Sequence, residues 1–238
     1  MGRKPVILIC WGACVEPHFL TQGMMMTKNY GWVVSANGGI PIVPLDANSI
    51  DTYCEMADGL LLPGGMYYTG VRKKNMLHAI EGHARKEAFE SELYDRFKKT
   101  GKPIFGICDG EQKINCCQGG RLALVTPRYH TTHYLTAHEI TNEPDSFVAE
   151  AWGHTATINS YHELSVEVLG KDLKVVAKSP EGVVEAIEHK SLPIYGVQFH
   201  PERMRGDNVF PAEGNNGDDL LRPFIRRCAE IKKVVGTS

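Results

Sequence analysis

Lys102-Pro103-Ile104-Phe105-Gly106-Ile107-Cys108-Asp109-Gly110-Glu111-Gln112 is the stretch from which the rest of the chain can be read. An apolar strand over residues 102–108 ends in Gly-Ile-Cys-x-Gly and gives way to a helix, the pattern of a nucleophile elbow. A side chain at such a turn projects from the carboxyl end of a sheet, where open α/β sheets place their sites. Gly106 and Gly110 allow the sharp turn, and the helix N-terminus behind Cys108 favours thiolate over thiol.

Working outward, Pro193-Ile194-Tyr195-Gly196-Val197-Gln198-Phe199-His200-Pro201-Glu202 is a second apolar strand that delivers a histidine and a glutamate two residues apart. On extended backbone those side chains point the same way. A thiol nucleophile needs a base that takes its proton and returns it to a leaving amine, and imidazole oriented by a carboxylate does this near neutral pH. Cys108, His200 and Glu202 supply the three parts. A third strand, in Gly59-Leu60-Leu61-Leu62-Pro63-Gly64-Gly65, ends in paired glycines whose N–H groups, with that of Asp109, are placed to stabilise an oxyanion.

The same grammar extends along the chain. Strand-like segments at residues 5–12, 40–45, 58–62 and 102–108 alternate with helix-length segments at 18–37 and 78–100, the latter carrying Phe89, Leu93 and Phe97 on one face. Such alternation builds an α/β fold, a mostly parallel sheet with helices on both faces. Shorter strand candidates at 133–140, 156–159, 173–177 and 182–188 predict a small antiparallel extension. A last strand at 193–199 precedes a helix striped by Leu220, Leu221, Phe224, Ile225 and Cys228.

The 238 residues, 42% hydrophobic and 23% charged, suit one domain spanning residues 1–238. A net charge of −2 offers no basic field for nucleic acid or an anionic membrane, and the apolar runs are too short to span a bilayer. Seven cysteines, an odd count outside any framework spacing, fit a reducing, cytoplasmic setting. Packing accounts for Cys10, Cys14, Cys54, Cys116, Cys117 and Cys228, and Met24, Met25 and Met26 read as helix core. His130, His133 and His138 recur near one strand, but offsets of three and five keep them off a shared face, so no metal site is read.

Together these motifs resemble the class I glutamine amidotransferase superfamily, and more narrowly its free-standing γ-glutamyl hydrolase branch. The resemblance runs through Asn29-Tyr30, Gly38-Gly39-Ile40-Pro41, Leu61-Leu62-Pro63-Gly64-Gly65, residues 85–90, the elbow with Gln112 and Asn115, Asn159-Ser160-Tyr161-His162, residues 179–188 and residues 197–202. It implies a flavodoxin-like sheet and a Cys108–His200–Glu202 triad that cleaves a γ-glutamyl amide without metal or organic cofactor. Gly65 and Asp109 map to the oxyanion donors. Gly64, Gln112, Tyr67, Tyr161 and His162 map to the substrate pocket. The expected partner is a small γ-glutamyl compound, and a homodimer is compatible with the helices that cover the sheet.

Three departures stand out. The superfamily usually has arginine after the nucleophile and an apolar residue two positions on, where this chain has Asp109 and Glu111. Met66-Tyr67-Tyr68 follows the paired glycines, and Tyr161-His162-Glu163 stands where relatives often carry paired histidines. These changes predict an altered amine part of the substrate, including a cationic one met by Asp109 or Glu111. A glutaminase that feeds a separate synthetase, and a silent γ-glutamyl binder whose thiol Asp109 has spoiled, are the competing readings.

Overall fold

The computed structural model describes residues 3–15, 22–65, 76–125, 130–206 and 214–235. Five strands run parallel: β1 (Val6–Ile9), β4 (Ile40–Ile42), β5 (Gly59–Leu62), β6 (Ile104–Ile107) and β13 (Ile194–Val197). They lie in the order β4-β1-β5-β6-β13. Counted in chain order this is 2-1-3-4-5, the flavodoxin-like arrangement. Beyond β13 the sheet continues antiparallel through β12 (Val184–His189), β11 (Leu173–Lys178), β8 (Tyr134–Asn142) and β9 (Thr155–Tyr161). The antiparallel extension is thus four strands wide within one nine-stranded sheet. Two short ribbons flank it, β2 (Gly12–Val15) with β3 (Gln22–Met25), and β7 (Arg121–Leu124) with β10 (Leu164–Val168).

The parallel strands are apolar throughout because both of their faces are covered. Ile7, Ile9, Leu61, Phe105 and Ile107 pack with residues of α1 (Lys28–Ala36) and α7 (Asp218–Val235). Leu8, Leu60, Leu62 and Ile104 turn to the other side, against α2 (Ile50–Met56), α3 (Met76–Lys99) and α4 (Asp109–Cys117). Phe89, Leu93 and Phe97 of α3 are buried there, and the predicted stripe of α7 is buried on the first side. Two short helices, α5 (His130–His133) and α6 (Phe147–Trp152), serve the antiparallel half. Among the described residues no helix is long and apolar enough to cross a membrane.

The segment at residues 18–37 departs from the sequence reading. Only residues 28–36 are helical, and Met24 and Met25 belong to the β2–β3 ribbon rather than to a helix core. Gly23 weakens a helix at that point, and the unbranched methionine side chain accommodates either geometry. Cys10, Cys54 and Cys228 are buried as expected, whereas Cys116 faces solvent.

Candidate active site

Three neighbouring parallel strands, β5, β6 and β13, are paired in register, with Leu62 beside Gly106 and Ile107 beside Val197. They therefore end together, and the residues that follow each one meet at one edge: Gly64 and Gly65 after β5, Cys108 after β6, His200 and Glu202 after β13.

Cys108 occupies the junction between β6 and α4 with φ 53° and ψ −105°. This is a strained conformation for a residue with a Cβ, of a kind that is held only where the surroundings enforce it. Its N–H donates to the Val197 carbonyl at 2.7 Å, fastening the elbow to β13. Gly110 makes the turn possible, because a Cβ there would lie 2.1 Å from the Leu62 carbonyl oxygen. The sulfur-bearing residue is partly exposed, at the N-terminus of α4.

His200 is 5% exposed and Glu202 is 2% exposed. The imidazole Nδ1 lies 2.8 Å from Glu202 Oε1, so the carboxylate accepts its hydrogen and fixes the ring. Arg203 Nε donates to the same oxygen at 3.3 Å. Burial by itself lowers the imidazole pKa, but the Glu202 carboxylate, followed by the charge of the nearby Cys108 sulfur, raises it to about 10. Burial pushes the Glu202 carboxyl up, and the facing imidazole more than offsets this and holds it below the ordinary value. His200 Nε2 is buried and makes no hydrogen bond among the described residues.

Two neighbours hold this unit in place. Asn159 brackets the His200 backbone, its Nδ2 donating to the carbonyl at 3.0 Å and its Oδ1 accepting from the N–H at 2.8 Å. Gly64 comes so close that a Cβ would lie 2.7 Å from His200 Cε1. The Gly64 N–H donates to the Tyr30 hydroxyl at 2.8 Å and is thereby occupied. Gly65 lies against Asp109, since its Cβ would be 3.2 Å from the Asp109 Cβ. The two backbones expected to donate to an oxyanion are therefore neighbours.

The charges that depart from the superfamily pattern are neutralised inside the protein. Lys86 of α3, its side chain 4% exposed, places Nζ 2.8 Å from Asp109 Oδ2 and 2.9 Å from Glu90 Oε2. These carboxylates keep the ammonium charged despite its burial. The cation missing from position 109 thus arrives from α3. Glu111 is fully buried, and burial, with Glu185 adding, raises its carboxyl well above the ordinary range. It is held as a neutral acid in the place of an apolar residue, out of reach of a substrate amine.

Of the expected pocket residues, Gln112 is buried and its Nε2 donates to the Leu164 carbonyl and to Gln198 Oε1, both at 3.0 Å. Tyr161 is exposed, shares a strand face with Asn159, and stacks on Tyr134 with ring centroids 4.9 Å apart. His162 does not face the elbow: its Nδ1 donates to the Leu164 carbonyl at 3.0 Å, and its Nε2 lies 3.2 Å from His133 Nδ1. Tyr67 lies outside the described residues. His133 and His138 meet, against the expectation from their offset of five, because His133 ends α5 while His138 lies on β8; their ring centroids are 4.7 Å apart. Lys86 and Asn159 were not singled out in the sequence as site residues, although Asn159 sits inside a recognised motif.

Comparison with known proteins agrees with this geometry. Residues 4–202 match the peptidase C26 family. Protein NtpR of Enterococcus hirae is 31% identical over 223 residues, covering 86% of this chain and 93% of that protein. The glutamine-hydrolysing subunit of GMP synthase from Pyrococcus abyssi is 36% identical over 141 residues, covering 59% of this chain and 66% of the relative. Among solved structures, a glutamine amidotransferase from Thermotoga maritima superposes with a TM-score of 0.62 at 14% identity, covering 96% of this chain and 99% of that one. A candidate GMP synthase subunit from Thermoplasma acidophilum reaches 0.71 at 20% identity, covering 99% of this chain and all of that one. The chain belongs to the peptidase C26 family, within the class I glutamine amidotransferase superfamily.

Proposed function

We propose that this protein is a cysteine-dependent hydrolase that cleaves the γ-glutamyl amide bond of a small compound through a thioester on Cys108. The observation that carries this reading is the convergence of Cys108, His200 and Glu202 at the ends of adjacent parallel strands, with His200 Nδ1 held 2.8 Å from Glu202. With its pKa raised to about 10, the imidazole accepts the thiol proton and keeps it at neutral pH. The thiolate attacks the amide carbonyl, and the N–H groups of Gly65 and Asp109 receive the negative charge that develops on oxygen. His200 then gives its proton to the departing amine as the carbon–nitrogen bond breaks. Water, deprotonated by the now neutral imidazole, opens the thioester, releases glutamate and restores the thiolate–imidazolium pair.

The pairing of Asp109 with Lys86 supports an active thiol, because the carboxylate beside Cys108 is compensated at 2.8 Å. Likeness to the glutamine-hydrolysing subunit of a GMP synthase favours one second reading, a glutaminase that hands ammonia to a separate synthetase. Rapid mixing with glutamine and with N-substituted γ-glutamyl amides distinguishes them. The hydrolase reading expects a burst of released amine from the substituted amides, absent in Cys108→Ala. Turnover of glutamine alone points to the glutaminase. Saturable binding with no amine release from any of them identifies a silent binder.

A further inference from the structure

In the antiparallel half of the sheet, three imidazoles and one carboxylate converge in the interior. His133 comes from the end of α5, His138 from β8, His162 from the turn after β9, and Glu185 from β12. The side chains of His133 and Glu185 are fully buried, and those of His138 and His162 are 10% and 1% exposed. Glu185 Oε1 lies 3.3 Å from His133 Nδ1, 3.3 Å from His138 Nε2 and 3.6 Å from His162 Nε2. One atom each of His133, His138 and Glu185 fall within 4.8 Å of one another. His162 joins them through its Nε2, 3.2 Å from His133 Nδ1.

The outer nitrogens determine what the inner ones offer. His138 Nδ1 is 2.9 Å from the Thr132 carbonyl, and His162 Nδ1 is 3.0 Å from the Leu164 carbonyl. A carbonyl oxygen only accepts, so each Nδ1 carries the hydrogen and each Nε2 of a neutral ring presents a lone pair. Those lone pairs face a carboxylate oxygen, which is itself an acceptor. The arrangement is repulsive unless a cation stands among them. Hydrogen bonds do not resolve it: neither Glu185 oxygen nor His138 Nε2 has a hydrogen-bond partner among the described residues.

The geometry points to a buried site for a divalent transition metal of the zinc class, with His133, His138, His162 and Glu185 as its ligands. Four nitrogen or oxygen ligands at zinc distances stand roughly 3.3–3.4 Å apart in a tetrahedron, and the ligand-to-ligand distances given above are 3.2–3.6 Å. Ligating histidines characteristically donate their other ring hydrogen to a carbonyl or carboxylate. Here Thr132 and Leu164 supply carbonyls, and the Glu181 carboxylate lies 3.8 Å from His133 Nε2. The other convergence of acids, Glu87, Glu90 and Asp109, surrounds the ammonium groups of Lys86 and Lys113 and so carries its own cations.

A metal here braces the elements that position His200. The Glu185 carbonyl accepts from the Gln198 N–H at 2.9 Å, and Asn159, which brackets His200, lies three residues before His162. Its assigned role is structural, and it stands independently of the reaction proposed above.

The test uses the full-length chain produced in zinc-supplemented medium and freed of loose metal by dialysis. Metal-to-protein ratio is measured by plasma mass spectrometry, and visible absorption is recorded after cobalt substitution. The expected result is about one zinc per chain, with a four-coordinate cobalt spectrum. The exposed-site control His154→Ala keeps the metal, and His138→Ala and Glu185→Gln, checked for folding by circular dichroism, hold it at least about tenfold more weakly. Folded wild-type protein that takes up no stoichiometric zinc or cobalt overturns the proposal whatever the variants do. So does folded His138→Ala or Glu185→Gln that retains metal as tightly as wild type.

Discussion

Replacing Glu202 by glutamine keeps the shape of the group that faces His200 and removes its charge. Two unit charges about 4 Å apart at an effective dielectric of about 20 attract by roughly 4 kcal/mol. The structure gives a rise in the His200 pKa from 6.5 to about 10, equivalent to about 5 kcal/mol at about 1.4 kcal/mol per unit. The two figures agree, so Glu202 accounts for most of the effect. With the carboxylate gone, burial becomes the leading influence, and the imidazole pKa should fall below its ordinary 6.5. Histidine side-chain NMR on ring-labelled protein reads this directly: His200 stays protonated past pH 8 in wild type and is neutral at pH 7.5 in Glu202→Gln. The stability profile follows with a fixed sign. Because the folded pKa is raised, the contribution is complete below pH 6.5 and is lost as pH rises toward 10, with a slope of about −1.4 kcal/mol per pH unit in wild type between these values. The variant should lack that slope. An unchanged His200 titration in Glu202→Gln would refute the assignment of Glu202 as the source of the imidazole's charge.

Other perturbations follow from the same geometry. Cys108→Gly should be about 1 kcal/mol more stable than Cys108→Ala by urea denaturation, because glycine relieves the positive φ; equal stabilities would mean that the elbow carries no strain. Lys86→Met should cost about 3–5 kcal/mol by leaving Glu90 and Asp109 without their cation, and adding Glu90→Gln should restore part of it. If the single variant loses less than about 1 kcal/mol in the same assay, the ion cluster is not held as described. Gly64→Ala should lower kcat by about 100-fold or more through displacement of the imidazole, since its Cβ meets His200 Cε1 at 2.7 Å. Steady-state kinetics with wild-type kcat would show that the ring has room to spare.

The parallel half of the sheet and the grouping of Cys108, His200 and Glu202 at its edge were legible in the sequence because each part is local. A strand buried on both faces is continuously apolar, and the residue just after it lies at the sheet's end. The elbow motif adds a turn that only glycine fits at position 110. What escaped the sequence is what distant elements assemble. Lys86 meets Asp109 across 23 positions, and the charge reversal beside the nucleophile could not be balanced without knowing that α3 passes there. His133, His138, His162 and Glu185 come from four elements, so no spacing rule brings them together. His162 belongs to a motif tied to the pocket, yet the structure turns it toward Glu185. Residues 22–25 carry no alternation of polarity, and their pairing with residues 12–15 is a tertiary choice.

The central claim is that the sulfur of Cys108 carries the glutamyl group during turnover. Acid quenching within the first turnover of an N-substituted γ-glutamyl amide, followed by peptide mass spectrometry, tests it most directly. The account expects a glutamyl adduct on the peptide containing Cys108, formed as amine is released and gone once substrate is exhausted. Amine release that persists in Cys108→Ala, or an adduct on any other residue, would contradict it.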